Sequence, residues 1–130
     1  MNLPSDLKYT AEHEWVKKTD DHTVIIGITD FAQSELGDIV YVEIETVGET
    51  LRQGEVFGTV EAVKTTSDLF MPVSGEILEF NPNIDEDEGD QPELINDSPY
   101  DDGWIIKIRM SDPEEYEELM DKDTYEDMIS

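Results

Sequence analysis

Lys64 is the residue whose surroundings suggest chemistry. Apolar, β-prone residues flank it: Val60, Ala62 and Val63 before it, then Leu69, Phe70, Met71 and Val73 after it. Thr65-Thr66-Ser67-Asp68 fills a polar turn between the two runs. Strand-like runs joined by a short polar turn read as a hairpin, with Lys64 at or near its tip. A lysine there is held out into solvent on a rigid support, where another protein can reach and modify it. A Schiff-base or general-base lysine would need burial to lower its pKa, and a polar turn does not bury it. An amine that stays protonated in water is acylated only when an enzyme supplies an activated acyl group. Lys64 reads as an attachment point and not as a catalyst.

No rival constellation assembles. Carboxylates are so abundant that no pair stands out as acid and base. Neither G-x-x-x-x-G-K-[ST] nor G-x-G-x-x-G occurs, and the serines lack a nucleophile-elbow context. His13-Glu14 has no second histidine four positions on, so it is not a metalloprotease signature; His13 and His22 read as structural. The chain has no cysteine, which excludes disulfides, zinc-thiolate sites and thiol nucleophiles. Any thiol chemistry would have to arrive with an attached group.

The charge balance is extreme, with 34 acids against 8 Lys and Arg and a formal net charge of -26. Such a field repels nucleic acid and anionic membranes, so neither is expected as a partner. It suits partners with basic docking faces, and it equally suits a salty cytoplasm. A length of 130 residues fits a single domain over 1–130. No apolar run approaches the ~18 residues that span a bilayer. Met1-Asn2-Leu3-Pro4-Ser5-Asp6 lacks the basic-then-apolar order of a signal peptide, so the expected location is cytoplasmic.

Several elements must position the hairpin. Leu7 to Val16 leads in, anchored by Tyr9, Trp15 and Val16. The β-branched run Thr23–Ile28 reads as a buried strand. Asp30 with Gln33 suggests a capping box, and Gly37 is placed to end that helix after about two turns. Asp38–Ile44 is the next strand, Gly48 marks a turn, and Gly54–Ala62 leads up the hairpin. Pro72 and Gly75 fit a strand end or bulge, and Glu76–Phe80 resumes the sheet. Asn81–Gln91 reads as a solvated, mobile acidic loop. It fails as an EF-hand because Asp90 stands where the sixth-position Gly is needed. Pro92–Ile95 suggests a turn of helix. Trp104–Met110 is the clearest strand, with Trp104, Ile106, Ile108 and Met110 on one side. Ser111 with Glu114 and Asp123 with Glu126 suggest capping boxes for a helical C-terminus over 111–130. Its apolar sets are Tyr116, Leu119 and Met120, then Tyr125, Met128 and Ile129. Six or seven short strands with a few helices make a mainly β domain, either sandwich or barrel.

Gly58–Ile77 closely resembles the lipoyl-attachment segment of the glycine cleavage system H protein family. The likeness continues in Tyr9-Thr10 with His13–Val16, in Gly27–Gln33, in Leu36–Glu43, in Pro92–Asn96, and in Pro99-Tyr100 with Gly103-Trp104. The flanks discriminate among relatives. Biotin carriers place Met beside the lysine, and lipoyl domains of 2-oxoacid dehydrogenases show Asp before it and Ala after. Here Val60-Glu61-Ala62 precedes Val63-Lys64-Thr65, and Ser67-Asp68 follows.

The resemblance implies a barrel-sandwich hybrid of the hammerhead lipoyl type, with a small helix between strands and helices at the C-terminus. It implies lipoate in amide linkage on Lys64 and makes Glu61, Ser67 and Asp68 the recognition flank. The protein would be a carrier without catalytic activity of its own, taking an aminomethyl group from a PLP-dependent glycine decarboxylase to a folate-dependent aminomethyltransferase. Dihydrolipoyl dehydrogenase would reoxidise the arm, and a lipoate ligase or lipoyltransferase would attach it. The family parks the loaded arm in a surface cleft, and the His13-Glu14-Trp15 match makes Glu14 the candidate contact to the aminomethyl amine. Two departures bear on docking: Asn81–Gln91 looks longer and more acidic than the family's usual connection, and Asp97-Ser98 precedes Pro99 where the family varies. Two rivals remain open: an H-like relay that passes lipoate to other pathways, and a noncovalent module with Lys64 unmodified.

Overall fold

The structure is a computed structural model that describes residues 3–130. Met1 and Asn2, part of the stretch read as lacking a signal peptide, lie outside the described residues.

The elements run in chain order as β1 (Lys8–Tyr9), β2 (Glu14–Lys18), β3 (Thr23–Ile28), α1 (Asp30–Leu36), β4 (Ile39–Glu43), β5 (Thr50–Leu51), β6 (Val56–Ala62), β7 (Thr66–Phe70), β8 (Gly75–Phe80), α2 (Leu94–Asp97), β9 (Ile106–Met110), α3 (Glu114–Glu117) and α4 (Lys122–Ile129). They form a six-stranded sheet in the order β1-β2-β3-β9-β8-β5 and a three-stranded sheet in the order β4-β6-β7. Every pairing among the described strands is antiparallel.

One apolar cluster joins the two sheets. Val24, Ile26, Ile106 and Ile108 come from the large sheet, and Ile39, Val42, Val60 and Leu69 from the small one. Two half-buried sheets sharing one core is the arrangement expected when each strand alternates apolar and polar faces. A mainly β barrel-sandwich hybrid is therefore the fold. A second cluster of Leu7, Tyr9, Trp15 and Tyr125 lies on the far side of β1 and β2 and receives α4. Tyr9 and Tyr125 stack there with ring centroids 4.9 Å apart.

Gly27 fixes the spacing of that second cluster. A Cβ at position 27 would stand 2.7 Å from Cε2, Cζ2 and Nε1 of the Trp15 indole. The indole is fully buried and its Nε1 donates to Pro99 O at 2.8 Å, so the ring cannot retreat. Gly27→Ala is expected to destabilise the protein by about 2–3 kcal/mol, read as a lower urea midpoint at unchanged slope.

Several sequence expectations are corrected by local hydrogen bonding. The N-cap of α1 is Thr29, whose hydroxyl accepts from Ala32 N; Asp30 is the first helical residue and instead accepts from Gln33 Nε2 at 2.7 Å. Pro113, not Ser111, precedes α3, while Asp112 accepts from Glu114 N. Asp121, not Asp123, caps α4 by accepting from Thr124 N. In each case the helix starts from a residue one or two positions away from the cap that the sequence pair marked. Met120 leaves the helical face assigned to it and forms an antiparallel bridge with Tyr9, and Met128 is exposed. Pro92 precedes α2 instead of opening it. Trp104 lies before β9 and packs with the second cluster, apart from Ile106 and Ile108. The exposure of Glu86, Asp87, Glu88 and Asp90 fits a solvated acidic segment, yet that segment is not an open loop. Buried Asn81 and Ile84 anchor it, and Gly89 N, Asp90 N and Gln91 N all bond back to earlier carbonyls.

Candidate functional site

Lys64 sits in the connection between β6 and β7, but the turn is tighter than the sequence suggested. Val63-Lys64-Thr65 alone forms it, closed by Ala62 N donating to Thr65 O at 2.9 Å. Thr66, Ser67 and Asp68 belong to β7, facing Glu61, Val60 and Thr59 across the ladder. Val63, the last residue of the apolar flank, is 71% exposed and shares the apex with Lys64. The short turn leaves the chain no room to fold back over its own tip, so the apex projects.

Among the flanking residues, the fold separates what the sequence grouped. Glu61 is exposed on β6, on the face opposite the buried Val60 and Ala62. Ser67 and Asp68 instead help line a hollow of about 130 Å³ with Phe31, Ala32 and Glu35 of α1, and with Glu12.

Glu14 occupies a different and larger cleft of about 410 Å³, walled by Tyr9, Thr10 and Glu12, by Gln53 and Gly54, by Phe70 to Pro72, and by Glu118 to Met120. Glu12 borders both hollows, and β7 passes from one (Ser67 to Leu69) into the other (Phe70). The strand rise of ~3.3 Å per residue puts Phe70 ~13 Å along from Thr66.

A compact loop turns Glu14 inward. Thr10 N donates to Glu14 O at 3.0 Å, and Thr10 Oγ1 accepts from both Glu12 N and Glu14 N at 3.2 Å. His13 takes the left-handed backbone region (φ 69°) that closes this loop. Its Nδ1 lies 2.9 Å from Tyr125 Oη, which also bonds Thr29 Oγ1 at 2.8 Å. Burial lowers the His13 pKa from its ordinary value. The histidine ties the loop to α4.

Glu14 is 2% exposed. Its Oε2 accepts from Phe70 N at 2.8 Å, which links β2 of one sheet to β7 of the other where the β6–β7 register has shifted. Its Oε1 is buried and has no partner. Burial pushes the pKa up to about 8, against the pull of the Phe70 bond, and Glu12 raises it further. A buried acid with one unpartnered oxygen, beside a cleft, holds a proton near neutral pH that an arriving cation can displace.

The cleft walls from Gln53 to Gly54 and from Glu118 to Met120 were invisible in the sequence. Gln53 is placed by its own bonds, N to Ser74 Oγ and Nε2 to Pro72 O, both 2.9 Å. The Tyr9–Met120 bridge brings the C-terminal wall across. Only the Tyr9 anchor hinted at either.

No metal-holding group of three or more His, Asp or Glu occurs among the described residues, and no described helix is long and apolar enough to cross a membrane.

The comparisons with known proteins agree with this geometry. The family profile described as Glycine cleavage H-protein matches residues 7–130. The chain is 54% identical over 129 residues to the glycine cleavage system H protein of Chlorobium phaeobacteroides (strain BS1), covering 99% of this chain and 98% of that one. It is 52% identical over 130 residues to that of Bacteroides thetaiotaomicron, covering 100% and 99%. The crystal structure of a glycine cleavage system H protein from Mycobacterium marinum superposes with a TM-score of 0.86 at 38% identity, covering 98% of each chain. With a profile match across nearly its whole length and relatives above half identity, the chain belongs to the glycine cleavage H-protein family.

Proposed function

We propose that Lys64 is the residue on which this chain carries lipoate, in amide linkage, and that the 410 Å³ cleft receives the loaded arm. The chain is a lipoyl carrier of the glycine cleavage system by its family. The observation that carries the residue assignment is the exposed apex Val63-Lys64-Thr65, closed too tightly to hide its lysine.

The residues present fit the group. The cleft offers apolar surface from Phe70, Leu119 and Met120, and one buried carboxyl oxygen without a partner. When bound, lipoate supplies the dithiolane that the chain, having no cysteine, cannot provide. Acylation removes the Lys64 charge, which eases contact with apolar walls. Glu14 Oε1 offers a charge-assisted bond to an ammonium group on the loaded arm, and such a cation would pull the raised pKa back down. Ser67 and Asp68 border the hollow between apex and cleft, and Glu61 faces outward beside the apex where an attaching enzyme could read it.

The chain has no catalytic role in this reading. Its partners are a PLP-dependent glycine decarboxylase, a folate-dependent aminomethyltransferase, a dihydrolipoyl dehydrogenase, and a lipoate ligase or lipoyltransferase. It works in the cytoplasm as a single domain, away from nucleic acid and membranes, consistent with its charge of -26.

The test is reconstitution. Lipoylated protein with the partner enzymes should support glycine-dependent CO₂ release that saturates with carrier concentration. A modified protein that supports none, while passing lipoate to other acceptors, would establish the relay role instead.

A further inference from the structure

We infer that Asn96 is a positioning residue for Lys64, acting through the short segment that joins α1 to β4. This rests on the reading of Lys64 as the acylated residue.

The side-chain amide of Asn96 in α2 spans that joint. Its Nδ2 donates to Gly37 O at 3.0 Å and to Gln33 Oε1 at 2.8 Å, and its Oδ1 accepts from Ile39 N at 2.8 Å. Both amide hydrogens and the oxygen are thus engaged, and the arrangement defines which way the amide faces. Gln33 is itself held by donating to Asp30. Gly37 caps α1 with φ 84°, its N bonding Gln33 O, so the chain reverses within one residue.

The residues Asn96 immobilises are the ones the lysine turn rests on. Val63 N donates to Asp38 O at 3.0 Å, so the turn hangs from the residue between the two backbone groups that Asn96 grips. The Lys64 stem lies across Gly37: a Cβ there would stand 3.4 Å from Lys64 Cγ and Cε and 3.5 Å from Cδ. The missing side chain at position 37 therefore forms the floor on which the methylenes lie. A flexible four-carbon stem on a two-strand apex would otherwise sample many directions. Asn96 holds the floor and Asp38 holds the turn, so the amine leaves the apex along one path. The effect belongs to the rate of acyl transfer and not to enzyme docking, because misorienting a reacting group costs turnover.

The test uses the full chain and a purified lipoate ligase with ATP and lipoate. Asn96→Ala should lower kcat for acylation of Lys64 about tenfold and, independently, Gln33→Ala, which removes one partner of the Asn96 amide, about threefold, each with KM for the carrier within about twofold of wild type. Amide exchange at Val63 should accelerate about tenfold in Asn96→Ala, since its acceptor is no longer fixed. Should Asn96→Ala fail to unfold cooperatively, Gln33→Ala decides alone, because it withdraws one partner of the Asn96 amide at a helical position where alanine is unstrained. Wild-type kcat in a folded variant, or a change confined to KM, overturns the inference while leaving Lys64 as the acylated residue. A wild-type chain that takes up no lipoate overturns the carrier assignment and this inference together.

Discussion

On the proposed role of Lys64, Lys64→Arg is expected to abolish attachment of lipoate while leaving the fold at wild-type stability. The guanidinium stays protonated and cannot take the acyl group in amide linkage. The position is exposed at the apex, and arginine keeps the methylene stem that lies over Gly37. Stability should shift by less than about 0.5 kcal/mol, as for surface substitutions away from special features. Intact mass after expression in lipoate-supplied cells reads the result: the wild type gains one lipoyl increment on the peptide containing Lys64, and the variant gains none. Carrier activity in the reconstituted system should fall below detection. A lipoyl increment on Lys64→Arg would place the attachment elsewhere. An unmodified wild type would favour the noncovalent module.

Glu14→Gln changes both the pH dependence of folding and the lifetime of the loaded arm. Burial raises the Glu14 pKa from 4.5 to about 8, so the folded state holds a proton that the unfolded chain has released. Between those values stability falls as pH rises, by about 1.4 kcal/mol per pH unit for one proton, and levels off above about 8. Below about 4.5 both states are protonated and the contribution is fully present. Glutamine has no such proton, so the stability difference between the two proteins should change with that slope from pH 5 to pH 8. The slope is the readout, because the amide adds a donor of its own in the buried site and shifts the difference by an amount that does not vary with pH. Urea titrations across that range measure it. A pH-independent difference would mean that Glu14 is not the titrating group.

The second effect follows from the empty Oε1. Hydrogen bonds to charged groups contribute about 1.5–3 kcal/mol, so losing one should shorten the lifetime of the aminomethyl-loaded arm about 10- to 100-fold. An unchanged lifetime would remove Glu14 from the site. Together the two readouts separate a carboxyl that is merely buried from one that waits for a cation.

The elements that could be read in advance are those whose signal is local. Thr23–Ile28 forms β3 over the residues its β-branched run marks, and Gly37 ends α1 because the reversal there needs positive φ. Caps failed more often, since neighbouring Ser, Thr and Asp compete for the same role and packing chooses among them: Thr29 over Asp30, Asp121 over Asp123. The acidic segment after Asn81 reads as open loop from its charges, but burial of two residues, Asn81 and Ile84, anchors it in the fold.

The display of Lys64 at a hairpin apex was legible because it depends on its immediate neighbours and on a turn of a few residues, all contiguous in the chain. Resemblance across the flanks then named the family. The cleft was not legible. Its walls come from β1, the approach to β6, the end of β7 and the link between α3 and α4, and only the meeting of two sheets places them together. The character of Glu14 belongs to the same class. Its identity stands in the sequence, but its raised pKa and its empty oxygen come from desolvation by residues distant along the chain. Asn96 likewise acts on Lys64 across a fold contact between α2 and α1. Covalent capacity is a property of the residue and its turn, whereas burial, electrostatics and aim are properties of what the tertiary structure packs around it.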